Sequence, residues 1–151
     1  MKVTRYISDR CIIPHLQAES KDEVLRKLAA KAVELYPELD LEDIIEVLLD
    51  RERLGTTGIG NGVAIPHGKL VELDNIVIVL GRSLEGVPFE SADNKPAKII
   101  FLILAPEGAA TRYLKILAQV SRLVKSQDMR QKLLDAKDAG QIVKIIEEAY
   151  G

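Results

Sequence analysis

Apolar residues recur at helical spacing near the start of the chain, run unbroken through its middle and return to helical spacing toward its end. Val24, Leu25, Leu28, Ala29, Ala32 and Leu35 share one face at a period of 3.6. Ser20 and Glu23 ahead of them have capping-box spacing, which lets serine and glutamate satisfy orphan N–H groups reciprocally, and Pro37 closes the helix. Asp40 is placed to cap a second helix whose inward face is Leu41, Ile44, Ile45, Leu48 and Leu49. Asn75 to Leu80 and Ala97 to Leu104 are continuous β-branched and leucine runs, the pattern of strands covered on both faces. Between them, Glu85-Gly86-Val87-Pro88-Phe89 predicts a turn and a short strand, with the proline favouring a sheet edge. From about Thr111 a third helix carries Leu114, Leu117, Val120 and Val124 as its apolar stripe, and Asp128 and Asp138 open two further short helices as caps.

This order, with no internal repeat, low-complexity segment or linker, predicts one α/β domain over residues 1–151 with a central sheet between helical layers. The pattern leaves the strand order open. A chain of 151 residues can bury roughly two thirds of its unfolded surface without staples. The net charge of -2 and interspersed charges argue against a nucleic-acid binder that works through phosphate contacts. With no tryptophan, four tyrosines and two phenylalanines, the core is aliphatic and no stacking platform for single strands is available. The single cysteine, Cys11, excludes an internal disulfide and reads as a packed thiol in a reducing compartment. No signal-peptide pattern opens the chain, and the longest apolar run, Ile99 to Ala105, is far short of the roughly 20 residues that span a bilayer. The expectation is a cytoplasmic protein with no direct membrane insertion.

Chemistry concentrates in Thr56-Thr57-Gly58-Ile59-Gly60-Asn61-Gly62-Val63-Ala64-Ile65-Pro66-His67-Gly68. Alternate glycines allow a loop whose backbone N–H groups converge on one point. Val63-Ala64-Ile65 reads as a short buried strand that Pro66 ends, leaving His67 at its carboxyl tip, where open α/β sheets place their sites. The small Gly68 leaves one ring face approachable. Imidazole, with a pKa of about 6.5, is largely unprotonated near neutral pH and can attack through one nitrogen while the other holds its proton on a backbone carbonyl. Which nitrogen does which stays open at this level. The only other histidine is His15, which follows Pro14 in an apolar segment, so no zinc-type ligand cluster accompanies His67. A nucleophile elbow is absent as well. Val63 spoils a G-x-G-x-x-G reading, and Leu70 after Gly68-Lys69 spoils a Walker A reading. A loop suited to anions beside a histidine points to phosphate on the histidine itself. Arg51, just ahead of the loop, is the candidate cation, able to hold two phosphoryl oxygens, with Arg53 as its competitor and pairing to Glu46 or Asp50 as the plainer alternative. Glu107 reads as an exposed loop carboxylate.

The stretch from Arg51 to Leu70 closely resembles the active-site signature of the fructose/mannitol-type enzyme IIA domains of the bacterial phosphoenolpyruvate phosphotransferase system, in wording most like the nitrogen-regulatory branch. The resemblance extends through Ala105-Pro106-Glu107-Gly108 and covers essentially the whole chain. It implies a mixed sheet flanked by helices on both sides. It also implies that His67 accepts a phosphoryl group from a phosphohistidine of HPr or its nitrogen-branch paralogue NPr, and that Arg51 matches the family's active-site arginine. Thr57, Gly58, Ile59 and Gly60 would then line the phosphoryl group, with no cofactor, metal or nucleotide required. One departure stands out: where relatives often carry a second histidine before a leucine, this chain has Tyr113-Leu114. Tyrosine brings no positive charge near pH 7, so a less stabilised phosphohistidine is expected, with Arg112 as substitute cation. Three roles follow from this reading. The chain is a regulatory phosphocarrier that reports its phosphorylation state to a partner protein, or the IIA component of sugar uptake that hands phosphate to a separate IIB, or an interaction module indifferent to phosphate.

Overall fold

A computed structural model describes residues 2–150. Five α-helices, α1 (Lys21–Leu35), α2 (Leu41–Arg53), α3 (Ala110–Lys125), α4 (Gln127–Asp135) and α5 (Ala139–Tyr150), enclose a mixed six-stranded sheet. Its strands are β1 (Ile12–Ile13), β2 (Gly58–Gly60), β3 (Val63–Ala64), β4 (His67–Leu70), β5 (Val77–Val87) and β6 (Ala97–Pro106). The order is β1-β5-β6-β3-β2, with β4 also pairing with β6. β1 runs parallel to β5, β5 antiparallel to β6, and β3 and β4 both parallel to β6.

Strict alternation along the central strands makes two cores. Ile78 and Leu80 of β5 with Ile99, Phe101 and Ile103 of β6 pack against α3, α4 and α5. Val77, Val79, Ile100, Leu102 and Leu104 pack against α1 and α2 on the other face. That double coverage is why Val77 to Leu80 and Ile99 to Leu104 carry no polar positions.

Several expectations need correction. β5 continues through Val87, so the turn and separate short strand expected at Glu85–Phe89 do not form; an irregular register between Arg82 and Val87 bends the long strand instead. Ser126, one turn ahead of Met129, caps α4 in place of Asp128, whereas Asp138 does accept the Gln141 N–H at 2.8 Å. Leu114 is 64% exposed, and the inward stripe of α3 is Tyr113, Ile116, Val120, Leu123 and Val124. The helix has more apolar residues than one face can bury, and the rival stripe wins because it meets the sheet. At α1, Ser20 caps Glu23 N–H at 3.1 Å, but Glu23 reaches back to the N–H of Glu19, one residue outside a reciprocal capping box. Cys11 is half-buried beside Ser8, and His15 is exposed.

Candidate functional site

His67 does not end a strand; it begins one. Val63 pairs with Ile99, Ala64 with Ile100 and His67 with Ile103, so β3 and β4 hold one register against β6 on either side of Pro66. Proline removes a single ladder donor, while its own carbonyl still accepts the Ile103 N–H at 3.0 Å. Period-two alternation then puts His67 on the same face as Val63 and Ile65, toward α3, and Gly68 on the opposite face toward α2.

The ring is half-buried and held at both nitrogens. Nδ1 lies 2.7 Å from the Ile65 carbonyl oxygen, which can only accept, so Nδ1 carries the proton. Nε2 is therefore the lone-pair nitrogen, and it accepts from Arg51 Nε at 3.3 Å. Burial pushes the His67 pKa below that of an ordinary imidazole and the Arg51 charge adds to this, while the Ile65 hydrogen bond and Glu52 act in the opposite direction. An unprotonated ring with an outward nitrogen beside a guanidinium is the arrangement a nucleophile toward an anionic electrophile needs.

Arg51 reaches this nitrogen because α2 packs directly on the β4 backbone. A Cβ added at Gly68 would stand 2.4 Å from Val47 Cγ1, and Arg51 lies one helical turn beyond Val47 on the same side. Close approach of the helix, more than access to the ring, is the reason for glycine at this position. Arg51 also donates to the Gly55 carbonyl at 2.9 Å, while Arg53 pairs with Asp50 on the surface.

The glycine loop is a hairpin. β2 and β3 pair antiparallel across Asn61-Gly62, both with positive φ (58° and 78°), as a type I′ turn requires. Two of the loop amides are engaged within the protein: the Thr57 N–H goes to Glu52 Oε1 at 3.0 Å and the Gly58 N–H to Thr56 Oγ1 at 3.1 Å. Gly58 and Gly60 are buried in β2, and Ile59 between them is 54% exposed. The Asn-Gly dipeptide was the signal for the hairpin.

Tyr113 comes to His67 with ring centroids 5.9 Å apart and planes inclined by 59°. It is 7% exposed, and burial pushes its phenol up to about 12, so it stays neutral at any working pH. Arg112 does not join them through any hydrogen bond; its guanidinium donates to Asn75 Oδ1 at 3.3 Å. The cation over the tyrosine is Lys69, with Nζ 5.7 Å from the ring centroid, on the same strand face as His67 by its i, i+2 position. Lys69 and Glu52 were both passed over in the sequence; the two-residue spacing from His67 was the available sign for the first. Glu107 lies with Lys69 along an open cleft of about 320 Å³. Among the described residues no group of three or more His, Cys, Asp or Glu side chains is placed to hold a metal ion. No helix there is long and apolar enough to cross a membrane.

Comparison with known proteins bears on the family and the fold. A nitrogen regulatory protein of Bradyrhizobium diazoefficiens is 44% identical over 146 residues, covering 97% of this chain and 95% of that protein. The fructose-specific EIIABC component of Bacillus subtilis is 34% identical over 148 residues, although the chain spans only 23% of that longer protein. The crystal structure of the nitrogen regulatory protein IIA-Ntr from Neisseria meningitidis superposes with a TM-score of 0.89 at 28% identity, covering 95% of this chain and 98% of that one. The family profile described as phosphoenolpyruvate-dependent sugar phosphotransferase system, EIIA 2, matches residues 5–149, and the chain belongs to that family.

Proposed function

We propose that the chain is a phosphocarrier in which His67 Nε2 accepts a phosphoryl group from a phosphohistidine of HPr or NPr, and that its phosphorylation state serves a regulatory partner. The observation that carries this is the fixed tautomer: with Nδ1–H on the Ile65 carbonyl, the lone pair lies on Nε2, where it can attack once Arg51 turns aside. In the transfer the Nε2–P bond forms as the donor's N–P bond breaks, and the donor imidazole takes back the electron pair. No proton need leave His67 during the step. As the ring gains positive character its Nδ1–H becomes a stronger donor, so the bond to Ile65 tightens in the transition state. Arg51 turns from Nε2 toward the equatorial oxygens, where charge is spread. Thr57 and Gly58 contribute as the wall that holds the site, since their amides are occupied.

Leu54, Ile59 and Leu114, exposed by 84%, 54% and 64%, lie three residues from Arg51, on β2 and beside Tyr113 respectively. Such an apolar surround suits a phosphoryl group delivered by another protein. Phosphate on His67 adds roughly two negative charges to that surface, enough to change what binds there. The Bradyrhizobium relative's name supports a regulatory role. The Bacillus relative supports a second reading, a IIA component that passes phosphate to a separate IIB.

Incubation with phosphoenolpyruvate, enzyme I and either HPr or NPr should add one acid-labile phosphoryl group by intact mass, absent in His67→Ala. No phosphate from either donor, with a control IIA labelled, would overturn the proposal in favour of a phosphate-independent interaction module. Chase of the label onto an added IIB would select the uptake reading over the regulatory one.

A further inference from the structure

Glu52 is an acidic residue with an unusual set of partners. Its side chain is 6% exposed, and its Oε1 lies 2.6 Å from Nζ of Lys21, which is itself 13% exposed and comes from α1. Both carboxylate oxygens then serve one loop residue: Oε1 accepts the Thr57 N–H at 3.0 Å and Oε2 accepts the Thr57 hydroxyl. Lys21 supports the same loop through Thr56 Oγ1 at 3.3 Å. A buried ion pair gives little net stability after desolvation, so its use here is better sought in what it points at.

The line continues to the reactive ring. The Thr57 carbonyl accepts the Ile65 N–H at 2.9 Å, and the Ile65 carbonyl accepts His67 Nδ1–H at 2.7 Å. Ile65 precedes Pro66, which restricts its ψ, so its peptide is held from both ends once Thr57 is fixed. We infer that Glu52 is a positioning residue which, through Thr57 and Ile65, keeps His67 in the Nδ1–H tautomer and so keeps Nε2 open. What this does for phosphoryl transfer rests on the function proposed above; the tautomer itself does not.

If Thr57 loosens, the Ile65 carbonyl is no longer fixed under Nδ1, and the ring is free to carry its proton on Nε2. That form presents a donor to the Arg51 N–H and has no lone pair at the attacking atom. The tautomer is therefore a direct reporter of the chain from Glu52.

The test is 15N–13C correlation NMR of the histidine rings at a pH above the His67 pKa, on the full chain and on Glu52→Ala, Glu52→Gln and Lys21→Met, each checked for fold by its amide spectrum. Wild type should show the Nδ1–H form alone, and Glu52→Ala a clear admixture of Nε2–H, with the two milder variants intermediate. In phosphorylation assays Glu52→Ala should lose roughly tenfold in kcat at unchanged KM for the donor protein, because misplacement of the nucleophile and not donor binding is affected. A folded Glu52→Ala that keeps the wild-type tautomer overturns the inference. If that variant does not fold, an unchanged tautomer in both Glu52→Gln and Lys21→Met overturns it equally. A tautomer shift in a protein that no donor phosphorylates would sustain the positioning role and defeat the phosphocarrier reading alone.

Discussion

Arg51 and Arg82 are the same side chain put to opposite uses. Arg82 lies on β5, 2% exposed, and gives Nε to the Pro14 carbonyl at 3.1 Å and Nη1 to the carbonyls of Leu133 and Ala136. It gathers the N-terminal segment, the sheet and the end of α4 at one point, where orphan helix carbonyls and the helix dipole both favour a cation. Arg51 is half-buried at the end of α2, spends one bond on the Gly55 carbonyl and aims Nε at a nitrogen lone pair. Its Nη2 has no hydrogen-bond partner among the described residues. A guanidinium facing only carbonyls is structural; one facing a lone pair has a partner that chemistry can replace.

The contrast breaks most visibly at Arg82. Arg82→Met should lower the unfolding free energy by about 3 kcal/mol, since charge-assisted bonds to buried carbonyls are lost together. Chemical denaturation would show this, while phosphate acceptance per folded molecule should be unchanged. Arg51→Ala should do the reverse. Its folded stability should move by less than about 0.5 kcal/mol as measured by the same melts, whereas its phosphorylation rate should fall roughly 100-fold, about 2.7 kcal/mol of transition-state stabilisation. Equal losses of stability from both variants would erase the distinction.

How far this was legible depends on whether a residue's partner lies nearby in sequence. The two apolar runs announced a doubly covered sheet because every residue from Ile99 to Leu104 is buried on one face or the other. Pro66-His67 and Arg51 were legible because the local chemistry of the stretch is distinctive. The continuity of β3 with β4 was not: proline signals a stop, and only the shared register with β6, some 36 residues on by the pairing of Val63 with Ile99, shows the strand resuming. The use of Glu52 was hidden for the same reason, since Lys21 lies on another helix. Arg82, just beyond the first apolar run, has partners 51 and 54 residues away, and no local pattern encodes such a pairing.

The pH profile sharpens the comparison by a smaller effect. His67 has its pKa lowered in the fold, chiefly by burial and then by Arg51. In the proposed transfer the neutral ring acts as the nucleophile, so acceptance should hold steady down through the ordinary imidazole pKa of about 6.5 and fall only below it. By linkage, the unfolded chain binds the proton first on acidification, so the contribution of this group to stability is complete above about 6.5 and is lost as pH falls toward the folded value. Arg51→Ala should move the titration of His67 upward, measured by NMR, but not fully to the unperturbed value, because burial remains. Arg82→Met should leave it where it is. A full return to the ordinary value in Arg51→Ala would make the guanidinium the main cause and burial the lesser one.

The smallest effect belongs to Tyr113, which stands 5.9 Å from His67 and remains neutral. It supplies packing against the imidazole and no charge to a phosphoryl group, whereas Lys69 places a cation above its ring. A histidine here would be able to ionise and donate to a phosphoryl oxygen, but burial opposes its charged form as it opposes that of His67. These tendencies largely offset, and Tyr113→His should lengthen the lifetime of phosphohistidine at pH 7 only about threefold, a gain near 0.6 kcal/mol. Lys69→Met in the wild-type background should shorten it by a similar factor. If the histidine variant and wild type decayed at the same rate while Lys69→Met decayed faster, lysine would already be supplying the charge that the tyrosine lacks. If all three decayed alike, the charge around the phosphoryl group would rest with Arg51 alone, and the tyrosine would be a packing residue whose neighbouring lysine serves the surface.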